Sequence, residues 1–517
     1  RVGTMLYAGK ANSNTACSQT AGSAVGCELM VFNVSTTTSP LYVAGRDITG
    51  NNTGTGNIVV NHLAVSSNSQ TLYMAKAGDA TACSQTAGSA TGCELMVFDI
   101  SSTTNPVYVA GRDATGDSTG VGNVAMSYLT VDGNYLYVAK AANATACSQT
   151  AGSATGCELM VFDISSTTNP VYVAGRDVDG TAAGVASINI SSLVANNSVL
   201  YVSKAAAGAN ACSTTASNCE IMVFSISSST NPTYITGRDA SASAAGTQTL
   251  AVNNLTVNGS LLLAAKAGSA TACSQTAGSA VGCELMVFDI SSTTNPTYVA
   301  GRDVTGDSTG VGNLGINFVA ATGSLAYVAK AGSATACSEV AGSATGCELM
   351  VFDISSTTNP VFMRGVDASL ETSGELSLST TPIVVSTSTI MVGRAASAIP
   401  CEQIWNQRVG CELLLMKLPT TLTGTMTGTS RLTGLTTVGF AETQAAASTT
   451  DLTVASSSVL ALASNNFSIA GNFTRNGELR ANQSNVYLAG ANQTLTAVGT
   501  TTFYDLTLIA TTTATTT

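Results

Sequence analysis

The stretch YLYVAKAANATACSQTAGSATGCELMVFDISSTTNPVYVAGRD, residues 135–177, contains the pattern that decides the fold. Its central phrase, CELMVFDIS, occurs four times in the chain and three more times in altered form. The altered copies read CELMVFNVS from residue 27, CEIMVFSIS from residue 219 and CELLLMKLP from residue 411. The first cysteines of the seven units lie 61 to 66 residues apart. Repetition at this period predicts an architecture built from repeated units.

Each unit contains four short strand patterns, here called A to D. In the third unit, YLTVD precedes an Asp-Gly-Asn turn, and YLYVAK, ELMVFDIS and VYVAGRD follow. These segments are rich in β-branched and aromatic residues, and Pro170 opens strand D, where a missing N–H is tolerated. Seven such units predict an all-β fold, a seven-bladed β-propeller. A β-solenoid is the alternative, but its coils are usually much shorter than these units.

The first unit begins at strand B, so blade one lacks a strand A in the sequence. A spare copy of that pattern, DLTVA at residues 451–455, follows the seventh unit. We expect it to close the ring on blade one, because pairing removes two exposed sheet edges. Residues 1–456 then form the propeller, and residues 457–517 form a small C-terminal β segment for assembly or surface attachment. Residues 457–464, SSVLALAS, either begin that segment or form a strand exchanged between subunits.

The pattern YVAK…ELMVFDISSTTNPVYVAGRD resembles the LVIVD repeat of bacterial and archaeal cell-surface β-propellers. The resemblance covers roughly residues 1–431 and weakens in the last unit, where LLLMKLPTTLTG lacks both the DIS and the NP. It implies a propeller fold and a surface location, without a single activity. Residues 470–508 are similar to short β repeats of large secreted surface proteins.

The 14 cysteines form pairs that are ten residues apart in six units and seven apart in the fourth. Each pair flanks the loop between strands B and C, which favours one disulfide in each blade. Zinc or an iron–sulfur cluster is the alternative, but zinc needs ligands from two blades and the C-x₂-C spacing is absent. Disulfides indicate an oxidising, extracellular compartment. The predicted pairs are Cys17 with Cys27, Cys83 with Cys93, Cys147 with Cys157, Cys212 with Cys219, Cys273 with Cys283, Cys337 with Cys347, and Cys401 with Cys411.

Charged residues recur at fixed positions. A lysine such as Lys140 ends strand B in six units, and a glutamate such as Glu158 opens strand C in all seven. Because the ends of adjacent antiparallel strands face each other, we expect exposed cross-strand ion pairs. Arg-Asp ends strand D in five units and leads into longer loops. Acidic residues there offer oxygen ligands for calcium, although turn formation is the favoured role. They are Asp113 with Asp117, Asp177 with Asp179, and Asp303 with Asp307.

Composition excludes several classes of function. A formal charge of −11 argues against a nucleic-acid binder, which needs basic residues to neutralise phosphates. The single histidine, His62, leaves no histidine-based metal site and one candidate for a Ser–His relay. No apolar run reaches the roughly 18–20 residues of a transmembrane helix. No catalytic motif interrupts the repeat, so we expect neither enzyme activity nor a resident cofactor.

Low charge, disulfides in every blade and an uncharged Thr-rich end favour an extracellular structural protein. We expect the subunit of a cell-surface filament or sheath, a head-to-tail homopolymer joined through C-terminal strands. The alternative is a cell-surface adhesin or ligand-binding propeller, which uses the rim of disulfide and Asp/Gly loops to bind proteins or surface glycans. N-glycosylation patterns also predict a glycoprotein. The acceptor candidates are Asn143, Asn196, Asn254, Asn466, Asn472, Asn482 and Asn492.

Overall fold

The computed structural model divides the chain into two compact units. The first comprises Arg1–Val384 and Val392–Leu414, and the second comprises Val385–Met391 and Leu415–Thr517. The structure describes the chain except for residues 12, 36–39, 206–210, 213–217, 229, 293–294, 339, 357–359, 368–379, 387–388, 396–410, 418–419, 423–428, 433–434, 439–450, 455–458, 462–466, 477, 481–484, 489–492, 499–502, 504 and 509–517.

The first unit is a seven-bladed β-propeller of antiparallel sheets, as the repeat predicts. Blade one has three strands, β1 (Met5–Gly9), β2 (Leu29–Asn33) and β3 (Leu41–Arg46). Blades two to six have four strands each. Blade two contains β4 (Val60–Val65), β5 (Thr71–Lys76), β6 (Leu95–Asp99) and β7 (Val107–Arg112), and blade three contains β8 (Met126–Asp132), β9 (Tyr135–Lys140), β10 (Leu159–Asp163) and β11 (Val171–Arg176). Blade four contains β12 (Ile190–Asn196), β13 (Val199–Lys204), β14 (Ile221–Ser225) and β15 (Thr233–Arg238), blade five contains β16 (Val252–Asn258), β17 (Leu261–Lys266), β18 (Leu285–Asp289) and β19 (Thr297–Arg302), and blade six contains β20 (Ile316–Thr322), β21 (Leu325–Lys330), β22 (Leu349–Asp353) and β23 (Val361–Val366). Blade seven contains β24 (Thr380–Val385), β25 (Thr389–Arg394) and β26 (Leu413–Lys417).

The hydrophobic core lies between the blades. Strands B and C are apolar on both faces because each face packs against a neighbouring blade. Val161 of blade three and Leu193 of blade four belong to one buried cluster. Within blade three, Phe162 meets Tyr172 edge-to-face, with ring centres 5.7 Å apart. The first strands of blades two to six contact one another in order and form the inner wall of the propeller.

The second unit is built from parallel strands. One sheet contains β27 (Thr420–Leu422), β29 (Leu435–Val438), β31 (Val459–Ala461) and β34 (Glu478–Arg480). A second contains β28 (Thr429–Leu432), β30 (Asp451–Val454), β33 (Phe473–Arg475) and β36 (Leu495–Ala497), and a third contains β32 (Phe467–Ile469), β35 (Asn485–Leu488) and β37 (Asp505–Leu508). The strands of the second sheet begin 22 residues apart, so the chain coils as a parallel β-solenoid.

The predicted closure of blade one is wrong. The segment beginning at Asp451 forms β30, which pairs in parallel with β28 and β33. Ala455 and Ser457 lie outside the described residues. The segment SSVLALAS contributes β31, which also pairs within the second unit. The propeller therefore ends within β26, near residue 415, well short of the predicted boundary at 456.

Helical structure is confined to short 3₁₀ turns in the part of the chain that the structure describes. No described helix has the length and apolar character needed to cross a membrane. The turns are Ala24–Gly26, Ala90–Gly92, Ala154–Gly156, Ala280–Gly282 and Ala344–Gly346.

Candidate functional site

The loops between strands B and C, called disulfide loops below, contain the predicted disulfides. Six are present: Cys17–Cys27, Cys83–Cys93, Cys147–Cys157, Cys212–Cys219, Cys273–Cys283 and Cys337–Cys347. Cys411 is also disulfide-bonded, and Cys401 lies outside the described residues. Each ten-residue loop ends in a 3₁₀ turn that needs glycine, because a Cβ on Gly156 would lie 1.8 Å from the carbonyl oxygen of Thr145.

The disulfide loops share one face of the propeller with the D–A loops, which lead from strand D of one blade to strand A of the next. The Cys147 N–H donates to the Gly184 carbonyl in the D–A loop of the same blade, at 2.9 Å. The Gly152 N–H donates to the Thr115 carbonyl in the D–A loop of the preceding blade, at 3.0 Å. Both kinds of contact recur on the D–A loops that follow blades one, two, four and five, so each of these loops is held between two disulfide loops. The disulfide loops and the D–A loops together form the loop face.

In blades two to six the recurring lysine is buried beneath the loop face, contrary to the predicted exposed ion pair. Lys140 has no exposed surface. Its ammonium group donates to the carbonyl oxygens of Ala114 at 3.2 Å, Ala154 at 3.0 Å and Thr155. Ala114 belongs to the preceding D–A loop, and the other two acceptors belong to the disulfide loop. The lysine therefore ties two neighbouring loops together.

The recurring glutamate is buried beside this lysine. Glu158 has no exposed surface, and its backbone carbonyl accepts a hydrogen bond from the Lys140 N–H at 2.8 Å. One carboxylate oxygen accepts from the Asn143 N–H at 3.1 Å, and the other accepts from the Val178 N–H at 3.3 Å. The strand ends face each other as predicted, but the carboxylate serves to join the disulfide loop to the D–A loop of its own blade.

Burial shifts the ionisation of these groups. It raises the pKa of Glu158 to about 8 and that of Asp177 to about 6. It lowers the pKa of Lys140 to about 8, against the opposing effect of the Glu158 charge. Each carboxyl group whose pKa is raised binds its proton more tightly in the folded chain than in the unfolded chain. The resulting stabilisation is full below the ordinary carboxyl pKa and is lost as pH rises through the folded value.

We expect the melting temperature to fall as pH rises from about 5 to about 7.5, the range in which these carboxyls lose the stabilising proton. The lowered pKa of Lys140 has the opposite effect, because it makes stability rise with pH, but this effect acts near and above the folded pKa of about 8. Glu158→Gln removes one such carboxyl and should flatten the dependence measured by calorimetry at constant ionic strength. Asp163→Asn is the control, because the pKa of Asp163 is lowered. A melting temperature that rises over this range contradicts the assignment.

The aspartates that begin the D–A loops are occupied by hydrogen bonds. One oxygen of buried Asp113 accepts from the N–H groups of Thr115 at 3.1 Å and Asp117 at 3.2 Å. The other oxygen accepts from the Gly122 N–H at 2.6 Å. No cluster of three or more His, Cys, Asp or Glu side chains placed to hold a metal ion occurs among the described residues. The turn-forming role accounts for this carboxylate, and calcium is not needed to explain it.

The arginines that end strand D reach the next blade. Arg238 of blade four donates to the Asn295 side-chain oxygen and the Pro296 carbonyl of blade five, both at 2.7 Å. The same contact joins Arg46 with Asn105, Arg112 with Asn169, and Arg176 with Asn231. Blade seven lacks the Asn-Pro pair, and blade six has Val366 where the arginine would stand. The arginine that ends strand D and the Asn-Pro pair of the next blade are therefore the two partners of one inter-blade contact.

At one position of the inner strands, each of blades two to seven has a different residue. Its residues are His62, Tyr128, Ser192, Asn254, Phe318 and Pro382. The His62 ring stacks on Tyr128 with centres 3.7 Å apart, and its Nδ1 accepts from the Leu129 N–H at 3.3 Å. Burial lowers the pKa of His62 to about 4, so the imidazole is neutral. This histidine links two inner strands and has no serine hydroxyl bonded to it in the described part of the chain.

The glycosylation prediction is wrong for Asn254. This residue is 1% exposed, and its amide nitrogen donates to the Tyr128 hydroxyl at 3.2 Å and the Ser192 hydroxyl at 3.3 Å. A glycan would have to attach to that enclosed nitrogen. Asn472 is exposed, and Asn143 and Asn196 are half-buried, so these stay predictions. Asn466, Asn482 and Asn492 lie outside the described residues.

The outer strands of blades one, two, three and five have an edge contact that the sequence analysis missed. The Gln149 side chain donates to the Gly175 carbonyl at 3.0 Å and accepts from its N–H at 3.1 Å. It thus satisfies backbone groups on an otherwise open sheet edge. A Cβ on Gly175 would lie 2.5 Å from the Cys157 sulfur, so glycine allows the strand to approach the disulfide. The sequence contains a signal for this contact, because C-S-Q recurs in four units and G-R-D in five.

Comparison with known proteins finds one family match and several structural likenesses. Residues 125–144 match the LVIVD repeat. The chain is 11% identical to the periplasmic gluconolactonase of Pseudomonas aeruginosa, with coverage of 78% of this chain and 94% of that one and a TM-score of 0.44. A protein from Lactobacillus plantarum has 11% identity, coverages of 75% and 88%, and a TM-score of 0.45. The computationally designed Ika8 protein has 11% identity, coverages of 75% and 81%, and a TM-score of 0.38. No curated protein matches the chain in sequence.

Proposed function

We propose that this LVIVD-repeat propeller is an extracellular structural protein that assembles head-to-tail into a surface filament or sheath. The observation that carries the proposal is the open edge of the C-terminal sheets. β34, β36 and β37 each have one strand neighbour within the described residues. An unpaired strand edge readily accepts another strand. Contacts between two different surfaces of identical subunits extend into an open polymer when their geometry does not close a ring.

The chemistry of the propeller supports a non-enzymatic role. The recurring Lys, Glu, Asp and Arg side chains hold loops and blades together, and each set acts within its own blade or at one blade junction. Only 9% of the residues are charged, so little repulsion opposes close packing of subunits. The disulfides are typical of proteins in oxidising compartments.

The edge strand β37 allows this proposal to be tested. Leu508 is 48% exposed, and Leu508→Lys would place a charge on that edge, as natural proteins do to prevent strand addition. We expect the wild-type mass measured by light scattering to rise with concentration, and the variant to remain near the monomer mass of 51.8 kDa. Val121→Lys is the control, because it adds the same charge at a loop residue that is 62% exposed. A wild-type protein that is monomeric at every concentration contradicts the proposal.

A second candidate function is an adhesin that uses the loop face. Val121, Val185 and Val311 occupy the same place in three D–A loops and are 62%, 60% and 62% exposed. A repeated exposed apolar residue favours contact with a partner surface. Protein and glycan arrays would show saturable binding by the monomer, and lysine at all three positions should abolish it. A monomer that binds nothing removes this candidate.

A further inference from the structure

The D–A loop that follows blade three departs from the repeat two residues after its first aspartate. In the loops that follow blades one, two, four and five, this residue has a hydroxyl group that donates to the aspartate; the donors are Thr49, Thr115, Ser241 and Thr305. In the loop that follows blade three, Asp179 stands at this place, beside Asp177. A second carboxyl group thus replaces a hydrogen-bond donor.

The two carboxyl groups of this loop face the same space. A Cβ on Gly184 would lie 2.5 Å from Oδ2 of Asp179 and 2.6 Å from Cγ of Asp177. In the loop that follows blade five, a Cβ on Gly310 would instead meet Asp303 and a threonine hydroxyl group. The second carboxyl group therefore occupies the place of the hydroxyl group, and glycine leaves the space in front of both acids open.

One oxygen of the first aspartate has no partner. Asp177 is 1% exposed, and its Oδ1 accepts from the Asp179 N–H at 2.7 Å. Its Oδ2 is buried without a hydrogen-bond partner in the described part of the chain. The equivalent oxygens in the loops that follow blades two and four accept from the N–H groups of Gly122 at 2.6 Å and Gln248 at 2.8 Å. Burial raises the pKa of Asp177, and the nearby Ala186 N–H lowers it only in part, without a hydrogen bond of normal geometry. A buried carboxylate oxygen in this setting needs a ligand.

The charged groups around this loop leave an excess of acid. Burial lowers the pKa of Lys204, and four carboxyl groups oppose that effect: Glu220, Asp177, Asp179 and Glu158. One ammonium group is thus shared among four acids, and Oδ2 of Asp177 forms no hydrogen bond with it. The position beside this oxygen therefore favours an additional cation.

The other two acidic pairs named in the sequence lack this arrangement. In the loops that follow blades two and five, both oxygens of the first aspartate accept backbone N–H groups. The second acid, Asp117 or Asp307, lies four residues further on, and its charge acts on the arginine that ends strand D. Among the three pairs, only Asp177 and Asp179 combine two carboxyl groups at one point with an unpartnered oxygen.

We propose that Asp177 and Asp179 hold a calcium ion in the D–A loop that follows blade three. Carboxylate oxygens are preferred ligands of calcium, and backbone carbonyls and water complete its shell of about six to eight oxygens. Together with Thr181 they occupy the first, third and fifth places of the stretch DVDGT, the spacing at which calcium loops present oxygen ligands. With two carboxylates we expect a dissociation constant of about 0.1–1 mM, the range of extracellular calcium modules. The proposal does not depend on the assembly function.

The test is isothermal titration of the chain Arg1–Thr517 with calcium chloride at neutral pH. Asp179→Thr restores the hydroxyl group of the other loops and should keep the fold, while calcium binding at this site weakens about tenfold or more. Calcium should raise the melting temperature of the wild-type protein and leave that of the variant unchanged. A wild-type chain that binds no calcium overturns the proposal, and so does a variant that binds calcium as the wild type does.

A matched pair of variants separates the site from a general effect of charge. Asp179→Asn and Asp117→Asn each remove one acid from a D–A loop. Asp179→Asn should weaken calcium binding about tenfold or more, and Asp117→Asn should leave it unchanged. Equal weakening by both variants would show attraction to the acidic surface as a whole and would overturn the proposal. Light scattering of the same variants reports separately on assembly, because the C-terminal strands are unchanged.

Discussion

Replacing Lys140 by methionine is expected to lower the free energy of unfolding by about 3 kcal/mol or more, because three buried carbonyl oxygens lose their donor and each unsatisfied buried acceptor costs about 1–3 kcal/mol. Lys140 and its partner Glu158 have no exposed surface. Methionine keeps the aliphatic stem but leaves the three carbonyl oxygens without their donor. Equilibrium denaturation of the non-reduced protein measures the loss.

The chain contains a matched control for this prediction. Lys10 occupies the same repeat position in blade one, where it is half-buried. Lys10→Met should therefore cost less, about 1 kcal/mol or below. Equal losses at Lys140 and Lys10 would contradict the role assigned to the buried lysine.

Removing one ten-residue disulfide should be the second large effect. Cys83→Ala with Cys93→Ala is expected to cost about 2–3 kcal/mol through the greater freedom of the unfolded chain, with a further loss from the packing of both buried sulfurs. The same change at Cys212 and Cys219, whose separation is 7 residues instead of 10, should cost less. Denaturant unfolding of both double variants provides the comparison.

Complete reduction should lower stability much further, because it opens all six described disulfides at once. The melting temperature with and without a reductant measures this effect. Cooperative unfolding at the same temperature in both conditions would show that the disulfide loops do not stabilise the blades.

The strands and disulfides could be predicted because their signals are local. Apolar runs such as ELMVFDIS fix the strands, and a cysteine pair around one loop can bridge without help from another blade. The positions of strand edges depend on distant partners. Asp451 begins DLTV, which resembles inner strands such as NLTV at Asn254, but its neighbours along the solenoid decide its pairing. The C-terminal strands begin 22 residues apart, a period about one third of the 64-residue blade repeat, and this shorter period is the sequence signal of the solenoid.

Burial was the part of the candidate site that the sequence did not reveal. Lys140 and Glu158 lie at strand ends, where exposure is the usual outcome, and the loops that cover them are folded by contacts between blades. Asn254 fits the glycosylation pattern over three residues, yet its place on the inner wall encloses the amide. In both cases a local pattern identified the residue correctly, while its surroundings came from other chain segments, 14 to 26 residues away for Lys140 and 62 or 126 residues away for Asn254.

Negative-stain electron microscopy of the non-reduced protein, over a series of concentrations, tests the assembly function most directly. We expect elongated polymers of the wild-type chain that lengthen as concentration rises, and separate single subunits for Leu508→Lys. Wild-type fields that contain only separate particles of the 51.8 kDa subunit at every concentration would contradict it.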